Sequence, residues 1–349
     1  MKKSLLALAV LGAFAGAAAA QTNVTLYGIM DVGVGMADPG GTADSTMVVD
    51  SGIQSTNRLG IRGSEDLGGG LKAIFNIETG IKPDRGDVSG ATFWHRRAIA
   101  GLAGGWGEVR LGRDYTVGFT AAGVGDVMGY GLFGNWLAYT SGAGGVTTRA
   151  YNGIWYQSPS LGGVSVSAFY STGTAGAPAA GQNEIADNPN DAYGLAATYT
   201  GGPLRAAAYY QELNDAAGNA AKEMGIGGQY SFGAFRLALN YGQQEAPVTG
   251  VDTTGIGIGA AMKLGTGEVL AQGIQIERDA AAGTDPKATV WGIAYVHPMS
   301  KRTNLYATFG TARNNSTGSF SILGADVSYA PTAVGDDPKA FAVGLRHMF

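Results

Sequence analysis

Arginines at alternate positions of a strand-like segment are the side chains in this sequence best placed to do chemistry. In the segment 58–64, Arg58 and Arg62 fall on one face, while Leu59 and Ile61 fall on the other. Fixed positive charges held together on one face attract anions and repel cations. This spacing therefore predicts a surface that raises the local concentration of anions.

Two further segments carry arginines in strand-like surroundings. If Phe93 and Ile99 face outward, alternation places Arg96 on the inner face and Arg97 on the outer face. Arg149 lies on the polar face of a later strand. Each charge alone could be a solvated residue at a rim. A guanidinium facing lipid at the middle of a bilayer costs about 2–4 kcal/mol, so as a group they favour a polar interior.

Constellations for catalysis or metal binding have no candidate in the sequence. The three histidines, His95, His297 and His347, belong to different predicted hairpins and have no ligand-spaced neighbour. Cysteine is absent, which excludes thiol chemistry, and no Gly-x-Ser-x-Gly elbow occurs. We therefore expect no enzyme, no metal and no cofactor.

Short turns and long polar stretches alternate strictly between segments of period-two hydrophobicity. The seven glycine-rich turns lie at 66–70, 103–107, 158–163, 200–203, 231–234, 264–267 and 297–303. The eight long stretches lie near 38–52, 82–91, 115–148, 173–190, 214–222, 245–252, 279–287 and 314–338. They separate sixteen strands, and this sorting is typical of outer-membrane barrels. We predict an all-β fold, a 16-stranded antiparallel transmembrane β-barrel.

The two ends of the chain agree with export to a membrane. A basic start, a short apolar run and small residues predict a signal peptide over residues 1–20, followed by a barrel domain over 21–349. The last strand alternates apolar residues and ends on Phe349, an aromatic residue suited to a membrane–water interface. These features predict the bacterial outer membrane as the location.

Composition limits the partners. The 59 glycines show no collagen period, and the formal charge of −4 becomes −6 once Lys2 and Lys3 leave with the signal peptide. A chain without a dense basic surface is not expected to bind nucleic acid. Acidic residues in the long loops could bind divalent cations that bridge lipopolysaccharide, or they could simply be solvated.

Four segments resemble the general porins of Gram-negative bacteria, most closely those of β-proteobacteria. They are Leu-Tyr-Gly at 26–28, Arg-Leu-Gly-Ile-Arg-Gly-Ser-Glu-Asp-Leu-Gly-Gly-Gly-Leu-Lys-Ala at 58–73, Leu-Gly-Arg-Asp-Tyr-Thr at 111–116 and Gly-Leu-Arg-His-Met-Phe at 344–349. The resemblance implies a water-filled barrel of sixteen strands, usually a homotrimer, whose third long loop folds inward to narrow the pore.

The resemblance also implies the residues of the constriction. Its wall arginines correspond to Arg58, Arg96, Arg113 and Arg149, and Arg62 shares the face of Arg58. Strict alternation from Leu111 would turn Arg113 outward, so we expect a bulge at Gly112 to reset its direction. The inward loop covers roughly 117–148, with Asp126 as the acid opposite the arginines.

Several arginines against one carboxylate predict a general diffusion porin that prefers anions and passes ions and small hydrophilic solutes. Three alternatives remain at this stage. A channel specific for anions such as phosphate or organic acids would show saturable binding. A non-conducting adhesive barrel would have a plugged lumen, and a soluble secreted β-protein would not need detergent.

Overall fold

The structure is a computed structural model that describes residues 23–90, 92–140, 148–173, 191–214, 219–246, 252–280 and 282–349. The predicted signal peptide, residues 1–20, lies outside the described residues. The barrel domain predicted over 21–349 includes all of them. Within these ranges, no helix is long and apolar enough to cross a membrane.

Sixteen antiparallel membrane strands form one closed sheet. In order they are β1 (Asn23–Asp38), a second strand in two parts, β2 (Thr46–Ser51) and β3 (Arg58–Gly68), then β4 (Leu71–Lys82), β6 (Arg97–Gly104), β7 (Gly107–Tyr115), β8 (Arg149–Gln157), β9 (Val164–Gly173), β10 (Ala192–Gly201), β11 (Leu204–Asn214), β12 (Ala220–Phe232), β13 (Phe235–Glu245), β14 (Thr253–Leu264), β15 (Gly267–Arg278), β16 (Lys287–Pro298), β17 (Thr303–Asn314) and β20 (Lys339–Met348). Pairing of β20 with β1, from Ile29 opposite Met348 to Asp38 opposite Lys339, closes the barrel. The predicted fold class and strand number are confirmed.

The outer face is apolar and the inner face is buried, as the period of two requires. In β14, Ile256 and Ile258 are exposed, whereas Gly255 and Gly257 lie on the buried face. A Cβ atom at Gly257 would lie 2.8 Å from the ring of Trp136. Glycine is therefore needed on this inner face because an aromatic side chain from a distant segment packs against it.

That segment connects β7 to β8 and contains α1 (Val117–Ala122), a 3-10 turn (Gly123–Gly125) and α2 (Leu137–Thr140). Thr116 caps α1, since its Oγ1 accepts from the amide of Phe119 at 3.3 Å. We call the whole connection between β7 and β8 the helical segment. Its backbone amides donate to buried polar side chains of three strands: Gly118 to Gln211 at 2.9 Å, Val127 to Gln272 at 3.0 Å and Phe133 to Thr308 at 3.1 Å. These bonds tie the segment to the buried face of β11, β15 and β17.

The second membrane strand is interrupted at 52–57. The carboxylate of Asp31 in β1 accepts from the amides of Gln54 at 2.6 Å and Ser55 at 2.5 Å, and from the Tyr306 hydroxyl at 2.6 Å. Asn57 donates to the backbone oxygen of Asp31 at 3.1 Å. The interruption is therefore a fixed structure held by one buried aspartate, and we call it the strand break.

A third segment meets both of these. Between β17 and β20, the short strands β18 (Ile322–Leu323) and β19 (Ser328–Tyr329) form a hairpin. A further short strand, β5 (Asp87–Val88), follows β4 and pairs with it. The amide of Asp326 donates to Gly52 of the strand break at 2.8 Å. Asn135, between the two helices, donates to Leu323 at 2.7 Å. The hairpin thus contacts both the strand break and the helical segment.

Candidate functional site

The upper cavity, of about 390 Å³, lies between the barrel wall and these three segments. Wall arginines contribute three guanidinium groups, while Phe119, Tyr130 and Leu137 line it from the helical segment. Besides these arginines, the cavity is lined by one more charged residue, Asp326 of the hairpin. The arginines that line this cavity are Arg58, Arg96 and Arg149. The structure therefore brings together three of the six residues that the sequence assigned to a constriction.

Arg96 is held by a buried ion pair. It is 4% exposed, its Nε donates to Oε1 of Glu78 at 2.7 Å, and its second terminal nitrogen donates to the Tyr115 hydroxyl at 2.6 Å. Glu78 also accepts from the Tyr27 hydroxyl at 2.9 Å and lies 4.0 Å from Arg58. These bonds satisfy both charges, which a buried ion pair requires.

Tyr115 orders the other side of the arginine group. Its hydroxyl also accepts from Arg149 at 2.7 Å, and the Arg149 guanidinium lies 4.2 Å from the centre of its ring. Arg58 donates to the backbone oxygen of Thr56 at 3.0 Å. The three guanidinium groups that line the cavity, set against Asp326 in its lining and Glu78 paired with Arg58 and Arg96, leave one positive charge in excess.

Asp326 is the carboxylate that reaches this cavity from a loop, and the sequence did not identify it. Burial raises the pKa of its carboxyl group, while Arg96, Lys82 and Arg58 act in the opposite direction. One of its oxygens, Oδ2, is buried without a hydrogen bond from the part of the chain that the structure describes. No motif marks Asp326, because its position depends on how the hairpin packs against the strand break.

Asp126 lies elsewhere, which corrects its predicted role. It does not line the upper cavity and is 4% exposed. Its carboxylate accepts from the amides of Met128 at 3.0 Å, Tyr130 at 2.8 Å and Trp136 at 3.2 Å, and from Gln272 at 2.7 Å. Asp126 holds the helical segment together and joins it to the wall, because every one of these bonds comes from the same segment or from β15.

Arg62 lies in a different place, which we call the side cavity, of about 400 Å³. Arg97 and Ile99 line the same cavity, and Ile99 is 8% exposed. Arg97 donates to the buried Asp114 at 2.7 Å. The prediction that Arg97 faces outward was therefore wrong, and Arg62 is separate from the upper cavity.

Arg113 also departs from the prediction. The register does shift between Gly112 and Asp114, but the extra residue belongs to β8, where Asn152 has a φ of 53°. Arg113 stays opposite Ala98, on the same face as the exposed Leu111, and donates to the backbone oxygen of His95 at 2.6 Å. The expected reset does not occur, and Arg113 does not line the upper cavity.

The lower cavity, of about 490 Å³, adjoins the upper one. Ser55 and Gly129 line both cavities. Toward the short turns, basic residues outnumber the single acid Glu268, which pairs with one of them at 3.2 Å. These basic residues are Arg236, Lys263, Lys301, Arg302 and Arg346. The positive lining therefore continues beyond the upper cavity.

No group of three or more histidine, cysteine, aspartate or glutamate side chains is placed to hold a metal ion over the described ranges. Burial lowers the pKa of His95, which lies beside Ser89 at 3.2 Å. The polar clusters found here thus consist of ion pairs and hydrogen bonds.

A closed barrel of sixteen strands with charged internal cavities defines the outer-membrane channel class. A family model described as Gram-negative porin matches residues 7–317, and the chain belongs to this family. It is a general diffusion porin of the bacterial outer membrane, as predicted.

Curated relatives match the chain along its full length, and solved structures match most of it. The chain is 36% identical to outer membrane porin protein 32 of Delftia acidovorans, with 100% of both chains covered. It is 33% identical to an outer membrane porin of Bordetella pertussis, again with 100% of both covered. The structure of an anion-selective porin from Comamonas acidovorans superposes with a TM-score of 0.80 and 31% identity, covering 94% of this chain and 100% of that one. OmpT of Vibrio cholerae in its trimer form, at 17% identity, shares the fold with a TM-score of 0.71 over 94% and 99% of the two chains.

Proposed function

We propose that this porin is a passive channel that prefers anions and is narrowest beside the upper cavity. The observation that carries the proposal is the group formed by Arg58, Arg96 and Arg149, whose charges exceed those of the neighbouring carboxylates. A positive excess in a narrow aqueous passage raises the concentration of anions and lowers that of cations. Small hydrophilic anions, including chloride, are the expected solutes, and no chemical step or cofactor is involved.

The segment 117–148 is proposed as the inward loop that narrows the pore. Support comes from its bonds to Gln211, Gln272 and Thr308, which belong to strands far apart around the barrel. Residues 141–147 lie outside the described residues. Toward the arginines this loop presents the apolar and aromatic side chains of Phe119, Tyr130 and Leu137. The carboxylate opposite the arginines is then that of Asp326, in place of the predicted Asp126.

The similarity to an anion-selective porin supports the same preference here. Assembly as a homotrimer is proposed on the family resemblance, and Arg113 on the outer face could contact a neighbouring copy, which would spare its charge from lipid. Lipopolysaccharide is the proposed partner of the acidic long loops.

The experiment is the reversal potential of purified protein in a planar bilayer under a potassium chloride gradient. We expect stable open steps and a sign that shows chloride preference. The Arg149→Gln variant removes one positive charge and, of the contacts described above, only those with Tyr115. Its preference for chloride should therefore be lower than that of the wild type. Arg205→Gln is the control, since Arg205 is exposed and lines none of the three cavities.

Potassium preference in the wild-type channel would contradict the role of the arginine group while leaving the porin itself intact. Absence of conductance from folded barrels would favour the non-conducting adhesive alternative. Saturation of the current with phosphate or an organic acid, but not with chloride, would favour the substrate-specific alternative.

A further inference from the structure

The upper and lower cavities share lining residues where the strand break lies opposite the helical segment. Ser55 lines both cavities from the strand break, and Gly129 lines both from the helical segment. Two residues further on, the segments are in contact, because a Cβ atom on Gly131 would collide with the backbone oxygen of Gln54. The space between the two segments is therefore closed at Gly131 and open at Gly129.

The geometry at Gly129 leaves room for a side chain. An added Cβ atom would find no described atom within 4 Å. Its φ of 67° is left-handed, a conformation that asparagine and aspartate tolerate better than other residues with a side chain. A short polar side chain at this position would therefore project into the space between the cavities rather than into packed protein.

Each side of this gap is fixed by its own buried aspartate. Asp126 accepts from the amides of Met128 and Tyr130, which flank Gly129 in sequence. On the opposite side, Asp31 accepts from the amide of Ser55, and Arg346 donates to the Ser55 hydroxyl at 3.0 Å. A gap with two anchored sides has a defined width, so it can discriminate between solutes by size and charge.

We propose that the gap between Ser55 and Gly129 is the route by which solutes pass from the upper to the lower cavity, and that position 129 determines specificity. This inference rests on the proposed function. It differs from the arginine group in what it controls: the arginines set the local anion concentration, whereas the gap sets the cross-section through which anions leave that group. On the far side an anion meets Arg346, and then Arg236 and Lys263.

The test compares Gly129→Asn and Gly129→Asp in planar bilayers. The asparagine variant should show lower single-channel conductance with chloride preference retained. The aspartate variant should show lower conductance and a reversal potential shifted toward potassium, because it places a carboxylate in the route. Gly162→Asn and Gly162→Asp are matched controls, since Gly162 has a φ of 59°, has no described atom near its Cβ position and lies in a short turn away from the cavities.

Unchanged conductance and reversal potential in both folded Gly129 variants would overturn the inference. If those variants do not give folded barrels, Ser55→Cys provides a second route, because the chain contains no cysteine. A negatively charged methanethiosulfonate reagent should then reduce the current through Ser55→Cys channels and leave Ser158→Cys channels unchanged. No reduction at position 55 in labelled protein would also overturn it.

Failure of the proposed function gives a different pattern. Potassium preference in wild-type channels would remove the anion proposal, yet a loss of conductance confined to the Gly129 variants would still place the route at the gap. Chloride preference in the wild type, together with Gly129 variants that behave like the Gly162 variants, would reject the gap alone.

Discussion

Arg96 and Glu78 form an ion pair at 2.7 Å in which both side chains are less than one-tenth exposed. Glu78 belongs to β4, and Arg96 immediately precedes β6, so the pair links two neighbouring strands next to the arginine group. One carboxylate thus compensates a guanidinium in the wall itself. The charge that acts on passing ions is set by this pairing as much as by the number of arginines.

We expect Glu78→Gln to make the channel more anion-preferring and less stable. The glutamine keeps the shape but leaves Arg96 as an unpaired buried charge, and breaking a buried pair costs about 3–5 kcal/mol. Reversal potential and urea unfolding of the purified barrel measure the two effects. Glu277→Gln is the control, since its partner Lys287 is at the surface, and it should change neither. Equal stability of Glu78→Gln and wild type would contradict the buried-pair interpretation.

Acidic pH should increase chloride preference through Asp326. Burial raises the pKa of this carboxyl group, so it takes up a proton at a higher pH than an ordinary aspartate does. Protonation removes a negative charge beside Arg58 and Arg96, and the positive excess therefore grows as the pH falls. At neutral pH, the Asp326→Asn channel should prefer chloride more strongly than the wild type does, and its reversal potential should depend less on pH. A reversal potential that follows pH equally in Asp326→Asn and in wild type would assign the titration to other groups; the exposed Asp279→Asn is the control.

Asp126→Asn should weaken the helical segment without reversing ion preference. Four donors surround the carboxylate, and an amide offers them only one acceptor oxygen. A buried donor left without a partner costs about 1–3 kcal/mol. We expect a lower temperature for the gel-mobility change of the heated barrel and a reversal potential that keeps its sign. A large shift toward chloride in a barrel of normal stability would instead restore Asp126 as a pore charge.

Arg113→Gln should leave the reversal potential unchanged, in contrast to Arg149→Gln. Arg113 shares the outer face with Leu111, whereas Arg149 lines the upper cavity. The two variants remove the same charge from strands that are neighbours in the barrel, so each controls for the other in the same bilayer measurement. Equal shifts would mean that Arg113 does reach the passage.

The fold could be predicted because its signals are local. Strand alternation and loop length depend on neighbouring residues, and they gave the sixteen strands. Arg58, Arg96 and Arg149 were placed together on a desolvation argument and on the family resemblance. Arg97 was misplaced because Ile99, assumed to face outward, is buried on the same face as Arg97, and because Phe93, the other residue used to set the alternation, precedes the start of β6.

The other corrections share a physical cause, which is packing between segments distant in sequence. The bulge near Arg113 adds its residue to β8, and the sequence of β7 alone carries no sign of which partner is longer. Asp126 and Asp326 are both aspartates in long polar loops. Only their three-dimensional neighbours, Gln272 in one case and the arginine group in the other, separate a structural role from an electrostatic one.

The contact between the strand break and the hairpin also bears on how the molecule is assembled. Thr56 donates to Ala325 at 3.4 Å across 269 positions of sequence, and Asp326 donates to Gly52. Contacts of such separation are slow to form, because a very long loop must close first. We expect the narrow passage to appear only when the barrel seam between β1 and β20 closes, which fluorescent labels at 55 and 326 would report during refolding. Until the seam closes, Asp326 would not face the wall arginines, so an unfinished barrel would lack the ion preference of the finished channel.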